Sequence, residues 1–156
     1  MIFSQWKFPE CKGYWFLTAI SFLNPSVDPA PIISAINEDY KWLLTNRQAW
    51  EFFKKRWFIK GYETVPRLKA KALLNRWIPL IANISWVDWD KTSNAPYIAE
   101  FDGHIGSHNG TFVWYDNKTR LLKLANTYGE EWGEKWYYYL HADDLDKVTE
   151  FCKIIL

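Results

Sequence analysis

The 156 residues of the chain include only two cysteines, three histidines and one methionine. Small secreted proteins are often stabilised by several disulfides, and other small proteins by a metal ion, and this chain has few residues for either. Two cysteines form one disulfide at most, which excludes a framework of several bridges. Basic and acidic side chains nearly balance, at 19 against 18, and no apolar run reaches the roughly 18 residues that a membrane-spanning helix needs. We therefore expect a cytoplasmic protein with free thiols, no metal or other cofactor, and no nucleic-acid or membrane partner.

Apolar and aromatic residues are plentiful by contrast, at 49% and 19% of the chain, which is enough for one packed core. The pattern divides this single expected domain into a mainly helical half, residues 1–76, and a half of mainly strand-like runs, residues 77–156. One helical segment begins near Pro66, and its expected buried face is Leu68, Ala72 and Leu73. The order of elements predicts an α+β fold in which the first helix packs on an antiparallel sheet.

Three residues in this layout combine into a site for nucleophilic catalysis. Cys11 lies at the start of an almost entirely apolar helical segment, where the helix dipole favours a thiolate. His108 directly precedes the strand-like run "GTFVWYD" and can form an ion pair with such a thiolate. Asn126, in "ANTYG", offers an amide that would orient the imidazole.

Two longer motifs around these residues resemble the papain-like cysteine peptidases. In that family the nucleophile opens the central helix, and the histidine begins a strand written as His-Ala-x-x-x-Val-Gly-Tyr-Asp/Gly. This chain has "HNGTFVWYD" from His108, with Val113 and Tyr115 in register. The orienting amide of the family lies in Asn-Ser-Trp-Gly-x-x-Trp-Gly, and this chain has "NTYGEEWG" from Asn126. The resemblance implies a papain-like fold whose central helix starts at the nucleophile.

The resemblance also implies the roles of further residues. Gln5 stands six residues before Cys11, which is the family spacing between the glutamine of the oxyanion hole and the nucleophile. Tyr128 and Trp132 would shield the hydrogen bond between His108 and Asn126 from water. The expected activity is hydrolysis of peptide bonds in a peptide or protein substrate, and we expect a monomer.

Alternatives remain at both ends of the site. In a second register "CKGYW" aligns with Cys-Gly-Ser-Cys-Trp, so that Tyr14 occupies the nucleophile position. That register implies an inert papain-fold binding protein. His104 also follows a glycine and is an alternative base. A papain-fold amidase or acyl transferase would use the same residues as a peptidase on a different carbonyl.

Overall fold

The computed structural model describes residues 11–39, 46–85, 87–92, 94–101, 107–127 and 129–156. The helices come mainly from the first half of the chain. They are α1 (Cys11–Leu23), α2 (Ala30–Asp39), α3 (Asn46–Lys55), α4 (Arg67–Leu74) and the single turn α5 (Trp89–Thr92). No helix within the described ranges has both the length and the apolar character that crossing a membrane requires.

Within the described residues, six strands form one antiparallel sheet. They are β1 (Gly61–Thr64), β2 (Leu80–Ser85), β3 (Ser107–Asp116), β4 (Leu121–Ala125), β5 (Tyr137–His141) and β6 (Val148–Ile155). Their order across the sheet is β1-β6-β2-β3-β4-β5, and each neighbouring pair is antiparallel. A 3₁₀ helix, Ala142–Lys147, joins β5 to β6. The helix-first α+β order with an antiparallel sheet is therefore confirmed.

Two apolar clusters account for the packing of the residues that the structure describes. The sheet cluster includes Phe112, Leu124 and Tyr138 from β3, β4 and β5, together with Leu74 of α4. The helical cluster is formed by α1, α2 and α3 and reaches the sheet at Ile81, Cys152 and Ile154. Because α1 packs chiefly against β3, the beginning of this helix and the beginning of this strand are held in one region of the molecule.

One detail of the sequence analysis needs correction and another needs an addition. The buried residues of α4 are Ala70 and Leu74, whereas Leu68 is 96% exposed and Ala72 is exposed too. Leu73, the third residue of the expected face, is partly buried against the sheet cluster. The spacing of Ala70 and Leu74 is as helical as that of the expected face, and the sheet cluster packs on their side. The mainly helical half also contains a strand, because β1 pairs with β6 at the edge of the sheet.

Candidate active site

Cys11, the predicted nucleophile, is the first residue of α1. Its side chain lies outside the described part of the structure. Its backbone stands at the helix N-terminus, which is the positive end of the helix dipole. The first turn of α1 contains no acidic residue, so no carboxylate in that turn repels a thiolate placed there. A cysteine at this position has its thiolate stabilised relative to its thiol.

A buried hydrogen bond joins α1 to β3 close to this position. Thr111 Oγ1 donates to the backbone carbonyl oxygen of Trp15 at 3.0 Å, and both residues are fully buried. Trp15 follows Cys11 by four residues, which places the two on the same side of the helix. The bond therefore holds the first turns of α1, the helix that begins at Cys11, close to the strand that carries His108.

His108 is the second residue of β3 and is only 6% exposed. Its imidazole meets the Trp15 indole edge to face, with ring centroids 5.4 Å apart and ring planes at 87°. Burial lowers the pKa of His108 from 6.5 to about 4, because the imidazolium ion loses its hydration. Burial alone thus keeps this imidazole neutral near neutral pH, and only a nearby anion would hold its charged form.

The strand register places His108 and Asn126 on the same face of the sheet. Thr111 pairs with Ala125 and Phe112 with Leu124, so the next pairing toward the start of β3 sets residue 110 opposite Asn126. His108 is then two residues further along the same face, in a diagonal position relative to Asn126. Diagonal neighbours have Cα atoms roughly 7–8 Å apart and Cβ atoms somewhat closer, a separation that an imidazole and an amide can bridge.

Asn126 is held firmly at the end of β4. Its side chain is fully buried, and its backbone N–H donates to Trp136 O at 2.7 Å. Its Oδ1 accepts the Thr127 backbone N–H at 2.8 Å, while its Nδ2 has no hydrogen-bond partner among the described residues. Side-chain amides are oriented by their hydrogen bonds, and their oxygen and nitrogen are exchanged by a flip. A buried amide with spare hydrogen-bonding capacity is suited to orienting an imidazole on the same face.

The loop between β4 and β5 turns through two glycines of the motif "NTYGEEWG". Gly129 and Gly133 have φ angles of 121° and 64°, in the left-handed region that favours glycine. A Cβ on Gly133 would overlap the backbone carbonyl of Tyr137. The tight turns bring the chain back so that Trp136 pairs with Asn126. Glycine at these two positions therefore allows the tight turns of the loop.

Trp132 packs into the core through Tyr138. The two rings meet edge to face, with centroids 5.5 Å apart, and Tyr138 is fully buried. The Tyr138 hydroxyl lies 3.6 Å from the position that a Cβ on Gly110 would take. Trp132 is thus linked through Tyr138 to the stretch of β3 that begins at His108. Its shielding of the bond between His108 and Asn126 stays a prediction.

Several predicted site residues lie outside the described part of the structure. They are Gln5, the expected oxyanion donor, His104, the alternative base, and Tyr128, the second shielding residue. Their roles stay predictions. Within the described ranges, no group of three or more histidine, cysteine, aspartate or glutamate side chains is placed to hold a metal ion.

Tyr14, the alternative occupant of the nucleophile position, is the fourth residue of α1 and is 6% exposed. It belongs to the helical cluster, together with Ile36 of α2. The preceding Gly13 lets α2 approach closely, since a Cβ there would lie 3.0 Å from Ile36 Cγ2. Tyr14 therefore has a packing environment of its own.

The environment of the second cysteine, Cys152, disfavours a thiolate, whereas a helix N-terminus favours one. It is a fully buried, free thiol on β6, and its Sγ donates to the backbone carbonyl oxygen of Glu63 at 3.3 Å. Burial, aided by the negative charge of Glu150, raises the pKa of Cys152 from 9.0 to about 12. Cys152 therefore acts as a packing residue of the helical cluster.

Solved structures match this arrangement of helices and sheet, although no family model and no curated protein matches the sequence. Xylellain, a cysteine protease from Xylella fastidiosa, superposes with a TM-score of 0.72 at 16% identity, over 99% of this chain and 82% of that one. Bromelain protease from Ananas comosus, solved with the E64 inhibitor, gives 0.71 at 12% identity, over 99% and 93%.

A third match is the cysteine protease CMS1MS2 from Carica candamarcensis, with a TM-score of 0.64 at 14% identity, over 99% of this chain and 92% of that one. Similarity across nearly the whole chain shows that the protein has the papain-like α+β fold, as the sequence motifs predicted. At these identities the likeness shows the fold, and the activity has to be argued from the site.

Three residues that position the site were missed by the sequence analysis. Trp15 was detectable, because its four-residue spacing from Cys11 puts both on one side of a helix. Thr111 had no such signal, since its partner is a backbone carbonyl distant in sequence. Tyr138 lies between two other tyrosines in "KWYYYLH", and alternation alone does not say which of the three faces the core.

Proposed function

We propose that this protein is a papain-like cysteine peptidase that hydrolyses peptide bonds in peptide or protein substrates. One observation carries the proposal, namely the contact between His108 and Trp15, one helical turn after Cys11 at the start of α1. A nucleophilic site of this kind needs a thiol at a helix terminus, an imidazole, and an amide that orients the imidazole from the same face of the sheet. The superposition on three cysteine proteases is in line with this proposal.

In the proposed acylation step, the Cys11 thiolate attacks the carbonyl carbon of the scissile peptide bond. The resulting oxyanion accepts hydrogen bonds from the Cys11 backbone N–H and the Gln5 side-chain amide. The first backbone N–H groups of a helix have no partner within it, which leaves that of Cys11 available. The His108 imidazolium then gives its proton to the leaving nitrogen, the C–N bond breaks, and a thioester to Cys11 remains.

In the proposed deacylation step, water attacks the thioester while His108 takes one of its protons. The thioester carries no negative charge on sulfur, so nothing there stabilises an imidazolium. Burial then favours the neutral imidazole, which is the form that accepts a proton. Collapse of the tetrahedral intermediate releases the carboxylic acid, and the thiolate–imidazolium pair returns. The same burial that disfavours a free imidazolium thus supports the second half of the reaction.

Thiol alkylation of the native protein tests the nucleophile. Iodoacetamide labelling is followed from about pH 5 to about pH 8, and mass mapping separates Cys11 from Cys152. We expect Cys11 to react well below the free-thiol pKa of about 8.5 and Cys152 to stay unlabelled, because it is buried with a raised pKa. The His108→Ala variant should move the reactivity of Cys11 to higher pH.

A fluorogenic peptide library, assayed on the same preparation, tests the activity itself, with Cys11→Ser as the inactive control. A Cys11 that labels no faster than Cys152 at every pH would contradict the proposal. A reactive Cys11 without cleavage of any peptide would instead favour an amidase or acyl transferase.

A second candidate function is an inert papain-fold binding protein. One observation favours it: Trp15, which follows Tyr14 as tryptophan follows the nucleophile in Cys-Gly-Ser-Cys-Trp, is the residue in contact with His108. The start of α1 at Cys11, and the burial of Tyr14 in the helical cluster, favour the peptidase.

The Tyr14→Cys substitution in a Cys11→Ser background distinguishes the two candidates. If position 14 is the nucleophile position, the new thiol should label with a low pKa that depends on His108. If Cys11 is the nucleophile, the new thiol should be buried and inert like Cys152.

A further inference from the structure

A cavity of about 280 Å³ opens at the C-terminal end of α3, and no residue of the candidate active site lines it. Its lining residues are Glu51, Lys54, Lys55, Trp57, Ile59 and Lys60. Ile59 forms a buried floor, whereas the three lysines and Trp57 are exposed. The cavity therefore combines an apolar base with a basic, aromatic rim.

Trp57 occupies an unfavourable position for its residue type. Its φ angle is 60°, in the left-handed region, where a side chain with a Cβ is strained. The Trp57 N–H donates to Lys54 O and the Phe58 N–H to Phe53 O, both at 3.0 Å. This pair of bonds ends a helix with a left-handed residue that is usually glycine. A tryptophan here costs stability without improving the helix end.

Packing does not explain the tryptophan either. Trp57 is 91% exposed, and within the described part of the chain its ring stacks on no other aromatic ring. Trp77 is a useful contrast, because it has the same φ angle of 60° but stacks on Trp114 with ring planes at 5°. A strained, exposed ring with no packing role suggests an external contact.

The lysines around the cavity are not neutralised. Among the described residues, none of Lys54, Lys55 and Lys60 has a carboxylate within ion-pair distance. Lys91 and Lys153 on other surfaces do have such partners. The lining thus carries three positive charges against the one negative charge of Glu51, which is an excess of two positive charges.

From this combination we infer that the cavity is a docking site for an acidic segment of a partner protein. Carboxylates of the segment face Lys54, Lys55 and Lys60, and an apolar side chain packs between the Trp57 ring and Ile59. The volume of about 280 Å³ is just below the roughly 300–1,000 Å³ of small-molecule sites, so the cavity suits one or two side chains rather than a whole cofactor. The inference does not depend on the proposed peptidase activity.

An acidic peptide fits better than a nucleic acid. Single-stranded nucleic acids are held by a basic groove that follows the backbone, with successive bases stacked on several rings. Among the described residues lining this cavity, Trp57 is the single aromatic one, and the chain as a whole has a net charge of only +1. A compact basic rim matches a short run of carboxylates.

Fluorescence anisotropy of the full chain with a labelled peptide of alternating glutamate and phenylalanine tests the inference. We expect saturable binding that weakens as salt is added, and none by the matching peptide with glutamine in place of glutamate. Replacing Lys54, Lys55 and Lys60 together by glutamine should weaken binding on the order of tenfold, at about two- to threefold for each exposed pair. Trp57→Gly should also weaken binding, while it relieves the strained backbone and so keeps the protein folded.

Matched controls separate this surface from general charge and aromatic effects. Glutamine at Lys69, Lys118 and Lys135, which are exposed elsewhere, removes the same charge, and Trp77→Ala removes another exposed ring. Both variants should bind like the native chain. The inference is overturned if no saturable binding occurs, if the controls weaken binding equally, or if a labelled thymidine oligonucleotide binds more tightly. Concentration-dependent self-association that the triple lysine variant abolishes, without peptide binding, would overturn it in favour of a second copy.

Discussion

Removing the Cys11 sulfur with Cys11→Ser should expose the effect of burial on His108. Without a thiolate, we expect the imidazole to titrate with a pKa of about 4, because desolvation penalises the imidazolium. In the proposed site the Cys11 thiolate is the anion beside His108, so in the native protein the His108 pKa should lie above the unfolded value of 6.5. The measurement is an NMR titration of the three histidines, with His108 assigned by its absence in His108→Gln.

The same shift has a consequence for stability in the Cys11→Ser background. Between pH 6.5 and about pH 4 the unfolded chain binds a proton at His108 that the folded chain excludes. The contribution of His108 to the free energy of unfolding is therefore fully present above pH 6.5 and is lost as the pH falls from 6.5 to about 4. At about 1.4 kcal/mol for each unit by which the pKa is lowered, this contribution amounts to about 3 kcal/mol, and it is smaller if water reaches the ring.

Urea unfolding across this pH window measures the effect. Carboxylates titrate in the same range, so the comparison is between Cys11→Ser and the double variant that also carries His108→Gln. The difference between the two curves belongs to His108. A His108 that titrates at 6.5 or above without the thiol would refute the burial argument. Identical His108 pKa values with and without the thiol would refute Cys11 as its ion-pair partner.

Three substitutions test the packing around the site and the cavity by urea unfolding. Gly110→Ala should destabilise by about 1–3 kcal/mol, since the new Cβ would lie 2.9 Å from Ile84 Cδ1; an unchanged stability would contradict the close packing under His108. Thr111→Val should cost about 1 kcal/mol by removing the bond to Trp15, and a neutral effect would mean that this bond does not hold α1. Trp57→Gly should stabilise by about 1 kcal/mol, and a loss of stability would show that its exposed ring packs in solution.

The strands near the site were predictable because their signals are local. Alternation and flanking turn residues mark the runs that became β3, β4 and β5. The edge strand β1 was not predictable in the same way, because four residues carry too little alternation and its partner β6 lies about ninety residues away. Its pairing depends on tertiary contact, which intrinsic strand preference does not encode.

The site shows the same division between local and nonlocal information. Cys11, His108 and Asn126 were recognisable because each lies in a short motif. The contact of Trp15 with His108 joins two residues that are 93 positions apart in the sequence (108 − 15). Such contacts depend on how the helix is placed on the sheet. They become visible only in three dimensions.

One departure from the resembled motif lies in β3, on the far side of a bulge from His108. The motif has glycine between valine and tyrosine, where this chain has Trp114. The pairing of β3 with β4 shifts between Phe112 and Trp114, and the Trp114 ring stacks on Trp77. The bulge adds one residue to β3, so the pairing with β4 is offset by one residue from Trp114 to Asp116, whereas Thr111 and Phe112 keep the register on the side of the site. Toward the start of β3, pairing with β2 runs without a shift from Phe112 to Ser107. The large ring is thus accommodated beyond the site, while the register that puts His108 and Asn126 on one face is preserved.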